Sequence, residues 1–213
     1  MAIKTLLLDV DGVLIRDKEL LDHVRHNCVQ YVKKKMPECK SPGRLNRQLY
    51  MKHGHTATGL KLEHNIDTSD FEKEVYTAKL KSHLWSVLSS NEFQQDAEVI
   101  HEIASKDWKV CLFTNAPIEW SGQVGHAISD LLYIKTPDSQ VYKPDPGFYT
   151  GLPSHNIYLY VDDCIRNLKA SERLHNCHPI LFSDNTSSPY PTISSIWELQ
   201  LYVNSVDQWI ADA

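Results

Sequence analysis

Three apolar runs in this chain stop abruptly on polar side chains. Leu6 to Leu8 end at Asp9 and, one valine later, Asp11; Trp108 to Phe113 end at Thr114 and Asn115; Ile157 to Val161 end at Asp162 and Asp163. A short apolar run closed by turn residues reads as a buried strand, and the carboxyl ends of parallel strands share the edge where ligands bind. Four carboxylates gathered there would repel one another unless a cation sat among them, and an all-oxygen set suits Mg²⁺ far better than zinc. A metal and a phosphate between the acids would make the grouping tolerable. Taken singly, each strand end has a plainer reading: Asp-Gly is a common turn, Asn115 can start a helix, and an Asp pair can cap the segment after it. Turns alone are a poor account of all three together, with Lys-Pro-Asp-Pro at 143 to 146 between the second and third.

The elements that must position these groups follow from periodicity. Residues 3 to 9 form a first strand, and Leu20, Leu21, Val24, Cys28, Tyr31 and Val32 then recur at helical spacing. The Lys-Ser-Pro-Gly-Arg break at 40 to 44 ends that helix, and polar, helix-compatible segments continue to about residue 92. Strand and helix alternate afterwards: strands at 108 to 115, 156 to 163 and 178 to 184, the last of them, with helices at 118 to 132 and 165 to 174 between. The segment 184 to 192 reads as a loop. Ile196, Leu199, Val203, Val206 and Ile210 predict a closing amphipathic helix. Alternation of this kind predicts an α/β fold, a Rossmann-like parallel sheet with both faces covered. The expected organisation is a core of residues 1–15 and 93–213, interrupted after its first strand by a helical domain, 16–92.

Composition narrows the class. The 213 residues are 42% hydrophobic, enough for a packed core, and the formal charge of -5 leaves no basic face for nucleic acid. Lys33 to Lys35 read as a solvated helix face. No apolar run approaches the roughly 20 residues of a membrane span, and no secretory signal is visible at the N-terminus. Five cysteines, an odd number without a Cys-x-x-Cys pair, argue against a disulfide scaffold or a zinc ribbon. The expectation is a soluble cytoplasmic protein with reduced thiols, a monomer or homodimer, binding neither membrane nor nucleic acid.

"DVDGVL", "LFTNAP", "YKPDP" and "YVDDCIRNL", in this order, resemble the four motifs of the haloacid dehalogenase (HAD) superfamily, mostly Mg²⁺-dependent phosphatases that work through an aspartyl phosphate. The resemblance covers nearly the whole chain, because the helical insertion falls where that family carries its cap. It implies that Asp9 is the nucleophile and Asp11 the general acid/base, whose backbone carbonyl also meets the metal. Thr114 and the Asn115 amide would bind phosphoryl oxygens, and Lys143 would neutralise their charge. The metal, Mg²⁺, would be held by Asp9, Asp11 and Asp163, with Asp162 as second ligand or orienter. An acid at position 11 favours phosphoryl chemistry over carbon–halogen cleavage. Cys164 and Asn167 stand where relatives often have Ser and Asp. Only eighteen residues separate Lys143 from Asp162, so the helix usual there is expected to shrink to a turn that covers the sheet thinly.

Residues 48 to 71 resemble the cap of the pyrimidine 5'-nucleotidase-like phosphatases, which implies that His55, Thr56 and Thr58 face the substrate. By helical phase with Leu45 and Leu49, Tyr50 is expected in the cap core, and a base-stacking platform is the alternative. The expected function is hydrolysis of a small phosphorylated metabolite, a nucleoside 5'-monophosphate first. The alternatives are a sugar-phosphate phosphatase, a phosphomutase, or a regulatory binding protein that keeps the fold without catalysis.

Overall fold

The structure, a computed structural model, describes residues 2–129, 132–137, 141–185 and 187–211, the side chains of 209–211 excepted. Six strands pair in the order β3-β2-β1-β4-β5-β6, every pair parallel. They are β1 (Lys4–Leu8), β2 (Trp108–Phe113), β3 (Tyr133–Lys135), β4 (Ile157–Asp162), β5 (Cys177–Phe182) and β6 (Thr192–Ile193). The central strands are apolar almost throughout because both sheet faces are covered. The chain builds outward from β1 to β3, then returns to the other side of β1 with β4. In open α/β sheets such a reversal, here beyond the carboxyl ends of β1 and β4, is where ligands bind.

The described residues form nine helices besides the sheet: α1 (Lys18–Lys35), α2 (Pro42–His53), α3 (Thr56–His64), α4 (Phe71–Val75), α5 (Ala78–Leu88), α6 (Asn91–Ser105), α7 (Ile118–Ile128), α8 (Ile165–Ser171) and α9 (Leu199–Ala211). Asp17 caps α1 by accepting the Leu20 N–H at 2.7 Å, and three lysines close it, where the helix dipole favours cations. Lys33 and Lys34 are exposed, as a solvated face requires. No described helix is long and apolar enough to cross a membrane.

Alternation along the strands sorts the core into two layers. Leu6, Leu8, Val110, Leu112, Leu159 and Val161 face one cluster with Leu84, Ile100, Trp120 and Val203 from α5, α6, α7 and α9. Leu7, Cys111, Phe113, Tyr158 and Tyr160 face the other, with Leu168 of α8. A third cluster joins α1 to α4 through Tyr31, Val32, Leu49, Leu60, Phe71 and Val75. The insertion after β1 thus has an apolar centre of its own, and that centre ends at Val75. Leu80, Leu84 and Leu88 of α5 belong to the first cluster instead.

Several expectations are corrected. β5 is not the last strand: β6 adds two residues at the edge, starting at Thr192, the last residue of the stretch read as a loop. The short β3 lay within no predicted strand. Between Lys143 and the start of β4 the chain makes one 3-10 turn, Pro146–Tyr149, in place of a helix, as its length suggests, yet the face beneath is not thinly covered. Phe148 and Tyr149 lie 4.8 and 5.4 Å from the Phe113 ring and are 3% and 4% exposed, so aromatic bulk replaces the missing helix. The end of the helix expected at 118–132 falls partly outside the described residues, as does the Ile210 side chain.

The placement of α5 makes a prediction. Leu84→Ala removes a fully buried side chain from the sheet-facing core and is expected to cost about 2–5 kcal/mol. Leu62→Ala, at a position 65% exposed, stays within about 0.5 kcal/mol. Urea denaturation of the two variants checks this; similar small losses would remove α5 from the core.

Candidate active site

Strand register brings the polar ends together. Leu8 lies opposite Leu112 of β2 and Val161 of β4, so Asp9, one residue on, is level with Phe113 and Asp162. Its N–H donates to Val161 at 3.0 Å, which extends the ladder to that point. Asp9 therefore emerges between two strand ends, on the same sheet face as Leu7 and Tyr160.

One ammonium fills the gap. Lys143 is 1% exposed, and its Nζ donates to the Phe113 carbonyl at 2.7 Å and to Asp162 Oδ2 at 2.7 Å, and lies 3.1 Å from Asp9 Oδ1. Two hydrogen bonds and one close ion pair engage the ammonium. Burial works against the ammonium, and Asp162 and Asp9 more than reverse this, holding the amine above its ordinary value.

Asp162 is more completely engaged than any other acid here. Its Oδ1 accepts from the Cys164 N–H (2.8 Å) and Asn167 Nδ2 (3.0 Å); Oδ2 accepts from Lys143, from the Tyr160 hydroxyl (2.5 Å) and from Asn167 (3.1 Å). Asp9 differs. Oδ1 accepts from the Val10 N–H at 2.7 Å and faces Lys143, whereas Oδ2 has no donor among the described residues. Burial raises the Asp9 carboxyl; the Lys143 charge opposes this, and the charges of Asp162 and Asp163 add to it.

Asp11 sits in a tight turn closed by Gly12 N–H to the Ile15 carbonyl, and its Oδ1 accepts from Trp120 Nε1 at 3.0 Å. Burial raises its carboxyl, an effect the indole bond reduces. Gly12 has φ +95°, and a methyl group there would lie 2.3 Å from Asp163 Oδ2, so only glycine lets the first turn approach the third strand end. Asp163 is exposed at the rim. Loss of hydration among the crowded strand ends, then the Asp162 charge, pushes it up to about 7.

Thr114 is buried. Its oxygen accepts the Ala116 N–H at 3.1 Å, which leaves the hydroxyl proton available. The N–H groups of Asp11 and Asn115 have no partner among the described residues. The Asn115 side chain accepts the Lys143 N–H at 2.7 Å and donates to the carbonyls of Lys143 (2.9 Å) and Gly54 (3.3 Å). Gly54, at φ +71°, lies so close that a methyl group there would stand 1.9 Å from the Lys143 carbonyl oxygen. The insertion is thereby clamped to the loop that carries the lysine.

Asp9, Asp11, Thr114, Asn115, Lys143, Asp162 and Asp163 thus converge, while the three residues expected to face substrate do not act as a group. His55 stacks on Tyr142 at 4.0 Å, and its neutral form is favoured because burial lowers it to about 3. His55 and Thr58 line a polar cavity of about 420 Å³ that none of the acids of the cluster lines. The Thr56 hydroxyl points elsewhere, donating to Asn46 at 2.7 Å. Tyr50, expected in the cap core, is 46% exposed. Trp120, Tyr160, the Phe113 carbonyl and Gly54 were not singled out by sequence. Only Tyr160 left a signal: it stands two residues before Asp162 on a strand, hence on the same face.

The donor set suits a divalent cation. Oxygens of Asp9, Asp162 and Asp163 lie within 4.8 Å of one another, and one ammonium against these three carboxylates leaves an excess of negative charge. The cysteines are free, and burial raises Cys28 to about 12 and Cys111 and Cys177 to about 11, which makes them inert thiols.

No family model and no curated protein sequence matches the chain. Solved structures do resemble it. A HAD phosphatase from Thermococcus onnurineus superposes with a TM-score of 0.59 at 14% identity, over 94% of this chain and 97% of that one. A beta-phosphoglucomutase from Clostridium difficile gives 0.57 at 14% identity, over 99% and 100%. An L-2-haloacid dehalogenase gives 0.56 at 12%, over 96% and 100%. The fold is therefore that of the HAD-like α/β proteins. Three activities share it, so the reaction has to be read from side chains.

Folded-state carboxyls raised above their unfolded values bind protons that the unfolded chain releases. In the absence of divalent ions, stability should therefore fall as pH rises from about 4 towards 7. Mg²⁺ competes with those protons. In thermal melts, the Mg²⁺-induced rise in Tm should be larger near pH 8 than near pH 5 and should vanish in Asp163→Asn; equal rises at both pH values would contradict the assignment.

Proposed function

We propose that this protein is a Mg²⁺-dependent phosphomonoesterase that works through an aspartyl phosphate on Asp9. The observation that carries the reading is the division of labour on Asp9 itself: Oδ1 is held by Lys143 and the Val10 N–H, and Oδ2 carries no donor. A carboxylate anchored by one oxygen and free at the other is prepared for in-line attack on phosphorus.

Asp9 Oδ2 attacks, and the bond from phosphorus to the leaving oxygen breaks. Asp11, raised by burial and oriented by Trp120, supplies the proton that this oxygen takes up. It then receives the proton of the water that hydrolyses the acyl phosphate, returning Asp9 to its carboxylate. The Thr114 hydroxyl and the N–H groups of Asp11 and Asn115 are the donors for the phosphoryl oxygens, and Lys143 offsets their negative charge. Mg²⁺, held by Asp9, Asp163 and the Asp11 carbonyl, would supply further charge neutralisation at the phosphoryl group. Asp162, with both oxygens engaged, is assigned to orienting Lys143 rather than to the metal.

An oriented acid at residue 11 has work to do when an alkoxide leaves and none when a halide leaves, which favours phosphate esters over the dehalogenase reaction. A regulatory protein without catalysis would have no use for this cluster, since apolar replacements of a buried ion pair are often neutral or stabilising. The helical insertion is proposed to be a cap that selects the leaving group, and the likeness of residues 48 to 71 to the pyrimidine 5'-nucleotidase-like cap makes nucleoside 5'-monophosphates the first substrates to try.

Phosphate release from p-nitrophenyl phosphate with Mg²⁺ tests this directly. Asp9→Asn should lower kcat by about a thousandfold or more and Asp11→Asn by roughly 10²–10⁴-fold, with circular dichroism unchanged. Halide release from 2-haloacids should be undetectable. No turnover by folded, Mg²⁺-loaded wild type, or turnover that survives Asp9→Asn, would overturn the proposal.

A further inference from the structure

Residues 49 to 51 point in opposite directions. Leu49 is 1% exposed in the α1–α4 cluster, whereas Tyr50 and Met51 are 46% and 50% exposed. The last turn of α2 carries these two side chains away from the insertion's centre and towards α8. There the Arg166 guanidinium lies 6.0 Å from the Tyr50 ring centroid and donates to the Met51 carbonyl. Arg166 is the second residue of α8 and follows Asp163 by three, and its neighbour Ile165 is 45% exposed. A flat ring backed by a cation, with Met51 and Ile165 beside it, therefore stands next to the third strand end.

The half-exposed tyrosine also stands within the fields of the acids: loss of hydration first, and then the charges of Cys164, Asp163, Asp9 and Asp162, raise its phenol. The Tyr76 phenol lies within the fields of both Asp11 and Tyr50, and its ring packs on Trp120, the donor to Asp11. The Tyr50 hydroxyl has no partner among the described residues. By contrast, the cavity beside His55 and Thr58 shares no residue with the acidic cluster.

We propose that Tyr50, backed by Arg166, is the leaving-group platform of the acidic cleft and selects phosphate monoesters whose leaving group carries a flat aromatic ring. Such a ring stacks on the tyrosine face and gains from the guanidinium nearby. A polyol offers the exposed apolar rim nothing comparable. The proposal rests on the phosphomonoesterase reading and adds a specificity-determining residue to it.

The test compares uridine 5'-monophosphate with ribose 5-phosphate, which share the phosphorylated carbon and differ by the base. The quantity read is the ratio of their kcat/KM values within each Mg²⁺-loaded protein, which cancels differences in active fraction. Wild type and Tyr50→Phe should favour the nucleotide by roughly 5- to 100-fold, the usual worth of one base–aromatic stack. Tyr50→Leu should bring the ratio close to one, chiefly through KM, and Arg166→Gln should lower it part of the way. A ratio near one in wild type, a ratio that Tyr50→Leu leaves unmoved, or, where neither ester reacts, hydrolysis of p-nitrophenyl phosphate that Tyr50→Leu leaves unchanged would overturn this proposal alone. Failure to hydrolyse any of the three would overturn the phosphomonoesterase reading beneath it.

Discussion

A single ammonium group buried among the ends of three strands organises this molecule. Lys143 Nζ touches Asp9 after β1, the Phe113 carbonyl at the end of β2 and Asp162 at the end of β4, through two hydrogen bonds and an ion pair. Removing a charge this completely from water costs several kcal/mol and is offset only when geometry and hydrogen bonds are nearly ideal. Here the parallel register supplies the geometry. Asp9, Phe113 and Asp162 are level because Leu8, Leu112 and Val161 are paired. Asp162, held by Tyr160, Asn167 and the Cys164 N–H, cannot turn away from the lysine.

The same loop ties the chemistry to the insertion. Asn115 grips the backbone of Lys143 on both its N–H and its carbonyl, and it reaches the Gly54 carbonyl at the α2–α3 corner. His55 continues the contact by stacking on Tyr142. On the opposite flank, Arg166 of α8 binds the Met51 carbonyl at the end of α2. Two short contacts from the end of α2 thus bracket the acidic cleft, one beside the lysine loop and one beside Asp163. Displacement of that end would disturb both the Lys143 loop and the Tyr50–Arg166 contact.

Much of this was legible in the residues. Apolar runs that stop on Asp9, Thr114 and Asp162 announced strands whose ends share an edge, and periodicity placed α1, α7 and α9 closely, while α6 was not singled out. What escaped had physical reasons. β3 and β6 are three and two residues long, too short for alternation to register, and they exist because neighbouring strands offer them a ladder. The insertion and the core could not be parted at α5, because an amphipathic helix shows the same pattern whichever cluster it covers. Asp162 and Asp163 look equivalent in sequence, and only five hydrogen bonds distinguish the saturated one from the exposed one. Helical phase misplaced Tyr50, because phase gives a direction around α2 but not the partner waiting there. Trp120, reaching Asp11 from a helix 109 residues away, left no local trace.

The division of the Asp9 carboxylate into an anchored and a free oxygen is tested most directly by trapping what that free oxygen attacks. Turnover of a ³²P-labelled phosphate monoester, quenched in acid during the steady state and followed by peptide mapping, should place the label on the peptide that contains Asp9. The label should be lost on mild alkaline treatment, as an acyl phosphate is. Turnover without any protein-bound label under burst conditions, or a label on another residue, would contradict the account.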